Sequence, residues 1–341
     1  MGYYVGLLIF IFVANLFTGQ MTNTERGRKI FFFLICLAVV LFQGFRSFTV
    51  GTDLATYIPD YSRMGAAGFT GELEYKNYEA GYVVLNKLLY MIGFDERGFL
   101  LVVTAIIQIP IFYTMYRYSE KLMMSILWYF AFGRFIMTFS GIRQSIAMSI
   151  CFLAYYLIKE RKPIYFVLLI LFAALFHASA LFCLILYPLY YMKLDRRKVF
   201  LAIALLIVVY IFRGRIFAFF SVLYYGEARE MSVTGAYTMF ITYLLLFIIS
   251  FFGNREEDKD FMGMRNILLV LVMVYSFAPM HDYVTRIGYP LALYMSIYIP
   301  KLINSFEVVP KWLYYGICYV VLVVAFFYFL GGMETLPFSF G

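Results

Sequence analysis

Residues 122–162 read LMMSILWYFAFGRFIMTFSGIRQSIAMSICFLAYYLIKERK, two apolar runs that meet at Ser-Gly-Ile-Arg-Gln. Each run has the composition of a membrane helix, and the second ends in the basic cluster KERK at 159–162. Arg143 lies where the two runs meet, within an otherwise apolar stretch. An ionised side chain at the centre of a membrane helix costs about 2.5–3.5 kcal/mol on insertion scales. The stretch therefore predicts membrane helices and marks Arg143 as a candidate functional residue.

The composition of the whole chain agrees with this prediction. Of 341 residues, 64% are hydrophobic and only 14% are charged, whereas charged residues make up about a quarter of soluble globular domains. A soluble domain is therefore excluded. The net charge of +8 reflects basic cytoplasmic loops, and we expect no nucleic-acid partner. The four cysteines lie in apolar runs without metal-ligand spacing, so neither a metal site nor a disulfide is predicted.

The number and orientation of the spans follow from hydropathy and from the Lys/Arg bias. About thirteen apolar segments occur, and several are shorter than the ~20 residues of a perpendicular span. The basic loops predict a cytoplasmic position, which leaves both termini and the loops 46–79 and 213–235 outside. Because two outer termini require an even number of crossings, one segment between 80 and 158 is expected not to cross fully. We predict a single all-α polytopic membrane domain over 1–341, with about twelve transmembrane helices, some short or broken.

Arg143 is the first candidate site residue. Ser140 is a good helix N-cap, and the basic end of the following helix places its N-terminus on the outer side. Backbone N–H groups, the helix dipole and the Arg143 guanidinium would then form an anion site, with Gln144 beside it. The alternative is that Arg143 snorkels to the interface or pairs with an acid.

The outer loop 46–79 carries the second group of candidates. Thr52 is expected to cap a short helix that presents Asp53, Tyr57 and Asp60 on one face; the alternative is a solvated amphipathic helix. Arg46 and Glu79 lie where this loop enters the membrane. For Glu79 the alternative is a rim residue paired with Lys76.

Two further groups of candidates are expected to face outwards. Segments 163–177 and 178–192 have basic clusters at both ends, which predicts a hairpin with His177 at its tip; the alternative is one long bent helix. Later in the chain, His281 precedes Arg286 and Tyr289, which share a helix face at a spacing of three. Arg286 could instead snorkel. No P-loop, GxGxxG, HExxH or GxSxG motif occurs.

Taken together, these pieces resemble the EpsG family of Wzy-like polysaccharide polymerases. The matching stretches are FRSFTVGTDLATY (45–57), YEAGYVVLNKLL (78–89), GIRQSIA (141–147), LFHASALF (175–182) and RIGY (286–289). The resemblance implies a GT-C-like architecture with an outer-face cavity, in the bacterial cytoplasmic membrane. It also implies an enzyme that polymerises undecaprenyl-diphosphate-linked oligosaccharide repeat units at the outer face.

That chemistry implies a role for each candidate residue. We expect Arg143, helped by Arg286, Arg46 and His177, to bind the diphosphate, so that neither a metal nor a cofactor is needed. Asp53 is the first candidate base and Glu79 the second, with His177 as a further possibility. The residues expected to orient the substrate are Tyr57, Gln144, Tyr289 and His281.

The expected partners are the bilayer, lipid-linked oligosaccharide as donor and acceptor, a chain-length regulator and a flippase. Three alternatives remain open. One is a glycosyltransferase that uses a lipid monophosphate sugar, with Asp53 and Asp60 around a divalent ion. The others are a glycan ligase and, as a non-enzyme, a flippase for lipid-linked oligosaccharide.

Overall fold

The structure is a computed structural model that describes residues 1–19, 24–69, 78–193, 196–225, 237–280, 282–307, 310–330 and 335–341. Within these ranges the chain is helical and contains no β-strand beyond one isolated bridge between Arg46 and Phe340. The chain divides into two compact units, which we call the first unit (Met1–Leu181 with Trp312–Gly341) and the second unit (Phe182–Lys311).

In chain order the helices are α1 (Gly2–Gly19), α2 (Glu25–Gly44), α3 (Leu54–Ala66), α4 (Ala80–Ile92), α5 (Glu96–Tyr118), α6 (Leu122–Ala131), α7 (Arg134–Met137), α8 (Ile142–Leu153), α9 (Tyr155–Lys159), α10 (Pro163–Ala174), α11 (Leu186–Tyr191), α12 (Arg196–Tyr225), α13 (Tyr237–Ile249), α14 (Lys259–Tyr275), α15 (Asp282–Asn304) and α16 (Lys311–Phe329). Two 3₁₀ segments lie at Ala178–Ile185 and Ala278–Met280.

The all-helical membrane fold predicted from the sequence is confirmed at this level. Within the described ranges, six helical stretches are long and apolar enough to cross a membrane: α1, α2, α5, residues 200–219 of α12, α14 with the turn after it, and α16. Short apolar helices are also present, as predicted. Helix α4 has 13 residues and α6 has 10, or about 20 and 15 Å at 1.5 Å per residue, well short of a ~30 Å hydrocarbon core. The number of twelve crossings stays a prediction.

Helix α5 forms the centre of the first unit, where it packs against α2 and α8. Its buried face carries Gln108, which donates to Gln43 Oε1 on α2 (2.7 Å) and to Thr138 Oγ1 (3.0 Å). The Tyr129 hydroxyl on α6 donates to Gln108 Oε1 at 2.9 Å. This buried network of polar side chains joins three helices to the segment that precedes α8.

The apolar run 122–138, expected as one segment, is broken in the structure. Helix α6 ends at Ala131, and Gly133 has a φ of +71°, a left-handed conformation that favours glycine. A single turn, α7, and a non-helical stretch then lead to α8 at Ile142. The break creates irregular backbone deep in an apolar region, where unsatisfied peptide groups cost several kcal/mol each.

Three groups from the 43–52 region bond to this irregular segment, two of them to its backbone carbonyls and one to a side chain. Gln43 Nε2 donates to the Thr138 carbonyl at 2.8 Å, and Arg46 Nη2 donates to the Phe139 carbonyl at 2.9 Å. The Thr52 N–H donates to Ser140 Oγ at 2.9 Å. The start of the outer loop is thereby docked against the start of α8.

Two predicted helix caps differ in the structure. Residue Gly141, not Ser140, occupies the N-cap position of α8, because the Ser140 hydroxyl is used to accept from the Thr52 N–H. That same bond places Thr52 outside α3, whose N-cap residue is Asp53. The predicted short helix nevertheless exists, and Pro59 lies inside it without ending it.

Two other expectations concern the later part of the chain. Helix α12 continues to Tyr225, so residues 213–225 of the expected outer loop are helical, and 226–235 lie outside the described residues. The helix is interrupted at His177, since α10 ends at Ala174 and a 3₁₀ segment begins at Ala178. One continuous bent helix is therefore not observed, and the hairpin with His177 at its tip stays a prediction.

In the second unit, α14 packs against α11, α13 and α15. Near the start of α14, Asp260 accepts from Lys301 Nζ at 2.8 Å and from the Tyr190 hydroxyl. Asn266 Nδ2 donates to the carbonyls of Leu189 and Met192, at 2.8 and 2.7 Å. These polar bonds fix the packing of the helices around α14.

Candidate active site

Arg143 lies in the first turn of α8, where its guanidinium meets the carboxylate of Glu79. Glu79 Oε2 accepts from Arg143 Nη1, and the two side chains are 22% and 25% exposed. Glu79 is the N-cap residue of α4, but its side chain makes no capping bond. The carboxylate is therefore directed at Arg143 instead of at its own helix. A half-buried ion pair of this kind keeps a face that a substrate can reach.

Helix α3 and the residue before Glu79 complete the surroundings of the guanidinium. Arg143 Nε donates to the Tyr57 hydroxyl at 3.3 Å, and Arg143 Cζ lies 4.8 Å from the centroid of the Tyr78 ring. The Tyr78 hydroxyl donates to Asp60 Oδ2 at 2.6 Å. Tyr57 and Asp60 thus act from one face of α3, as their spacing predicted.

We call Asp53, Tyr57, Asp60, Tyr78, Glu79 and Arg143 the Arg143 cluster. The phenols of Tyr57 and Tyr78 stay neutral at physiological pH. Burial raises the pKa of Tyr57 above its ordinary value, against the lowering effect of Arg143. Burial and the hydrogen bond to Asp60 both raise the pKa of Tyr78. The Tyr57 oxygen accepts from Arg143, which leaves its own proton for a second acceptor. Tyr57 can therefore donate to a substrate oxygen beside the arginine.

Asp53 precedes α3 by one residue and is half-buried. Its carboxylate interacts electrostatically with Tyr57. Over the part of the chain that the structure describes, this carboxylate makes no hydrogen bond and no salt bridge, and it does not cap its own helix. Both of the other carboxylates in the cluster are already bonded, so Asp53 has the most lone-pair capacity for a proton.

The segment around His177 is attached to the same cluster from another side. The Gly81 N–H donates to the Leu175 carbonyl at 2.9 Å, and the Ala178 N–H donates to Glu79 Oε1 at 3.4 Å. His177 Nδ1 lies 2.7 Å from Ser179 Oγ and accepts from the Ser179 N–H at 3.3 Å. A neutral imidazole with this arrangement carries its proton on Nε2. Two stretches far apart in sequence, the start of α8 and the segment around His177, thus bond to the Glu79 carboxylate.

A comparison with protein families shows to which family this chain belongs. The model of the EpsG family matches residues 29–340. The chain belongs to the EpsG family. This is a Wzy-like polysaccharide polymerase family, as the resemblance implied. No curated protein and no solved structure matches the chain.

The matched region of this EpsG chain includes every stretch that meets at Arg143. Of the predicted site residues, the structure brings together Arg143, Glu79 and Tyr57, with Asp53 beside Tyr57. Asp60, predicted on the same face of α3, also joins them through Tyr78. The alternative that paired Arg143 with an acid therefore applies, and its partner is Glu79. Lys76, the partner considered for Glu79, lies outside the described residues.

Arg46 has surroundings different from those predicted. Its side chain is 1% exposed, and its three nitrogens donate to the carbonyls of Val50 (3.1 Å), Gln43 (2.6 Å) and Phe139 (2.9 Å). A guanidinium used in this way satisfies backbone carbonyls, and a contact of Arg46 with substrate stays a prediction. Gln144 is likewise buried, at 4% exposure. Arg46 thereby supports the segment that leads into α8.

The late cluster belongs to the second unit of this EpsG chain. Arg286 and Tyr289 lie on α15, the first exposed and the second half-buried, at the predicted spacing. His281 lies outside the described residues. The participation of these three residues in the site stays a prediction.

Tyr78 is the member of the cluster that the sequence did not reveal. It precedes Glu79 in an extended backbone, and its ring lies over Arg143 while its hydroxyl holds Asp60. The only signal was its position in the stretch Tyr78-Glu79-Ala80-Gly81-Tyr82. Tyr82 packs against both Tyr57 and Tyr78, with ring centroids 5.6 and 5.5 Å away. A triad of tyrosines therefore lines the arginine.

Proposed function

We propose that this EpsG protein polymerises undecaprenyl-diphosphate-linked oligosaccharide repeat units at the outer face of a bacterial cytoplasmic membrane. Family membership supports a polymerase-type role. The observation that carries the finer proposal is the half-exposed Arg143, fixed by Glu79, Tyr57 and the Tyr78 ring at the start of a helix. A fixed guanidinium with an N-terminal helix dipole suits a leaving diphosphate.

The reaction would use two kinds of group from the cluster. The acceptor hydroxyl gives its proton to Asp53, and its oxygen bonds to the anomeric carbon of the donor glycan. The bond from that carbon to the diphosphate oxygen breaks, and its electron pair stays on the diphosphate. Arg143 stabilises the charge that develops there, and Tyr57 donates its free proton to a neighbouring oxygen. Glu79 keeps the guanidinium in place.

The wider architecture belongs to the same proposal. About twelve crossings and a GT-C-like arrangement would allow short helices such as α4, α6 and α8 to end inside the protein around a water-filled cavity. In this arrangement His177, Arg286, Tyr289 and His281 would contribute to the donor or acceptor site. A flippase and a chain-length regulator would be the protein partners.

The decisive experiment uses purified protein and a synthetic lipid-diphosphate oligosaccharide. We expect a ladder of polymer from the wild type and about 100-fold less from Arg143→Ala, the loss seen when one transition-state donor is removed. The matched control is Arg63→Ala, because Arg63 is an arginine of the same region that is 70% exposed and pairs with Asp60 at 3.4 Å. That control should keep near-wild-type activity. Full activity of Arg143→Ala would reject the proposal.

The same assay separates the alternatives. A glycosyltransferase with a divalent ion between Asp53 and Asp60 would lose activity with a chelator, although Asp60 already bonds to Tyr78 and Arg63. A ligase would transfer glycan to a different lipid acceptor without making a ladder. A flippase would move the lipid without a new glycosidic bond.

A further inference from the structure

A groove in the second unit lies between α12 and α13. It has a volume of about 610 Å³, within the range of roughly 300–1,000 Å³ typical of ligand sites. The side chains that line it are apolar or aromatic and include Ile203, Leu206, Tyr210, Phe240, Phe247 and Phe251. Helix α12 has the length and hydropathy of a membrane span, yet only 6% of that span is buried. The groove therefore opens where bilayer lipid would surround the protein.

A buried arginine with unused hydrogen-bond donors lies behind one end of the groove. Arg265 Cζ is 4.4 Å from the centroid of the Phe251 ring, and the Arg265 side chain is 3% exposed. Its Nε and Nη1 atoms have no hydrogen-bond partner within the described ranges. Tyr298 and Glu256 act on Arg265 electrostatically. In the described structure the buried Tyr298 hydroxyl has no hydrogen-bond partner, and Glu256 is exposed and forms no salt bridge with Arg265. A buried charge with unmet donors favours an anionic ligand.

The other end of the groove provides an internal comparison. Arg213 Cζ lies 4.1 Å from the centroid of Tyr210, another groove residue. In contrast to Arg265, Arg213 has partners: Nη1 donates to the Ser276 carbonyl at 3.3 Å and Nη2 to the Tyr237 hydroxyl at 3.4 Å. Of these two arginines, each stacked on a ring of the groove, only Arg265 has buried donors left over. An anion is therefore expected at the Phe251 end.

We propose that the groove binds an acyl chain of an anionic phospholipid, whose phosphate accepts hydrogen bonds from Arg265 Nε and Nη1. The planar guanidinium suits two phosphate oxygens at once. A rotation of the half-exposed Phe251 ring would open the guanidinium to the phosphate. The Phe251 end continues into the charge-dense stretch GNREEDKDFMGMR at 253–265, which we predict to be cytoplasmic. The lipid therefore belongs to the inner leaflet. This site lies in the second unit and uses no residue of the Arg143 cluster.

The test uses the full chain in nanodiscs that contain phosphatidylcholine with a minor fraction of phosphatidylglycerol. Native mass spectrometry then counts the phosphatidylglycerol molecules that remain bound after release from the disc. We expect about tenfold weaker retention in Arg265→Gln, the size expected when hydrogen bonds to a charged group are lost. The matched control, Arg213→Gln, should retain the lipid like the wild type.

A second variant keeps the test valid if Arg265→Gln does not fold. Ile207→Trp preserves the arginine but fills the groove from its exposed side, and it should lower retention as well. Equal retention by the wild type and Ile207→Trp, or by the wild type and a folded Arg265→Gln, would overturn the proposal. So would loss of lipid in Arg213→Gln alone. Displacement of the lipid by millimolar inorganic phosphate would identify a soluble anion as the occupant, against the proposal. None of these readouts depends on polymer synthesis.

Discussion

At the scale of single residues, Arg143 and Arg46 show how two arginines in similar apolar surroundings acquire different tasks. Arg143 bonds to side chains, Glu79 and Tyr57, and stays partly exposed. Arg46 is buried and bonds to three backbone carbonyls. The two are connected, because one of the carbonyls that Arg46 satisfies belongs to Phe139, shortly before α8. Arg46 therefore supports the backbone segment that leads to Arg143.

The cluster contains three carboxylates, and their bonding distinguishes them. Glu79 is committed to Arg143, and Asp60 to Tyr78 and Arg63. If Asp53 is the base, Asp53→Asn should abolish the polymer ladder, because an amide cannot take the proton. Asp60→Asn keeps the shape of the side chain and an acceptor for Tyr78, so it should lower the rate by less than about tenfold, the value of one neutral hydrogen bond.

The comparison is made with purified variants on the lipid-diphosphate oligosaccharide, after thermal unfolding has shown that both are folded. Asp60→Asn is the matched control, since it removes one negative charge from the same helix face. Polymer formation by Asp53→Asn at the wild-type rate would leave Glu79 or His177 as the base.

At the scale of elements, the close approach of the outer loop to the start of α8 depends on Gly51. Its φ is +114°, and a Cβ atom at this position would lie 2.4 Å from the Phe139 carbonyl oxygen. That oxygen accepts from Arg46, so a side chain here would separate the loop from the backbone before α8. We expect Gly51→Ala to destabilise the protein by more than about 2 kcal/mol and to lose polymerase activity through displacement of Arg143.

Gly68→Ala is the control for this prediction. Gly68 also has a positive φ, +58°, but a Cβ there would meet no atom within 4 Å. Gly68→Ala should lower the stability only by the strain of the left-handed conformation, roughly 1–2 kcal/mol, and leave activity unchanged. Thermal unfolding in detergent measures both variants. Equal destabilisation by the two substitutions would show that the contact with Phe139 is not what matters.

The helices also show which parts of the fold can be predicted from the sequence. Helices α1, α2, α5 and α16 could be recognised as apolar segments, since each contains a continuous apolar run between polar flanks. The break at Gly133 is not predicted from hydropathy, because the residues on both sides of the Gly133–Arg134 pair are apolar. Its stabilisation comes from Gln43, Gln108 and Arg46, which are distant in sequence. Hydropathy carries no information about such partners.

The site was predicted in part for similar reasons. Arg143 and Glu79 could be predicted because they are charged residues within or beside apolar segments. Tyr57 could be predicted because of its helical spacing from Asp53 and Asp60. The role of Arg46 could not be predicted, because an arginine that faces substrate and one that satisfies backbone carbonyls have the same sequence signal. Tyr78 was missed because its orientation depends on the extended backbone before α4 and not on a periodic pattern.

At the scale of the whole molecule, orientation in the membrane decides whether the cluster can act on lipid-linked glycan outside the cell. The C-terminal tail pairs with the outer loop: the Ser47 N–H donates to the Ser339 carbonyl at 2.8 Å, and the Gly341 N–H donates to the Phe45 carbonyl at 3.1 Å. These two segments must therefore lie on the same side. The Lys/Arg bias predicts that this is the outer side, with 159–162 on the cytoplasmic side.

Cysteine labelling in intact cells tests this orientation, because Thr49, Ser339 and Lys162 are all exposed. We expect Thr49→Cys and Ser339→Cys to react with a membrane-impermeant maleimide, and Lys162→Cys to react only after permeabilisation. The unsubstituted chain is the background control, since Cys36, Cys151 and Cys183 are buried and Cys318 is half-buried. Labelling of Lys162→Cys alone in intact cells would put the Arg143 cluster on the cytoplasmic side. Polymerisation at the outer face would then be impossible, whatever the chemistry of the cluster.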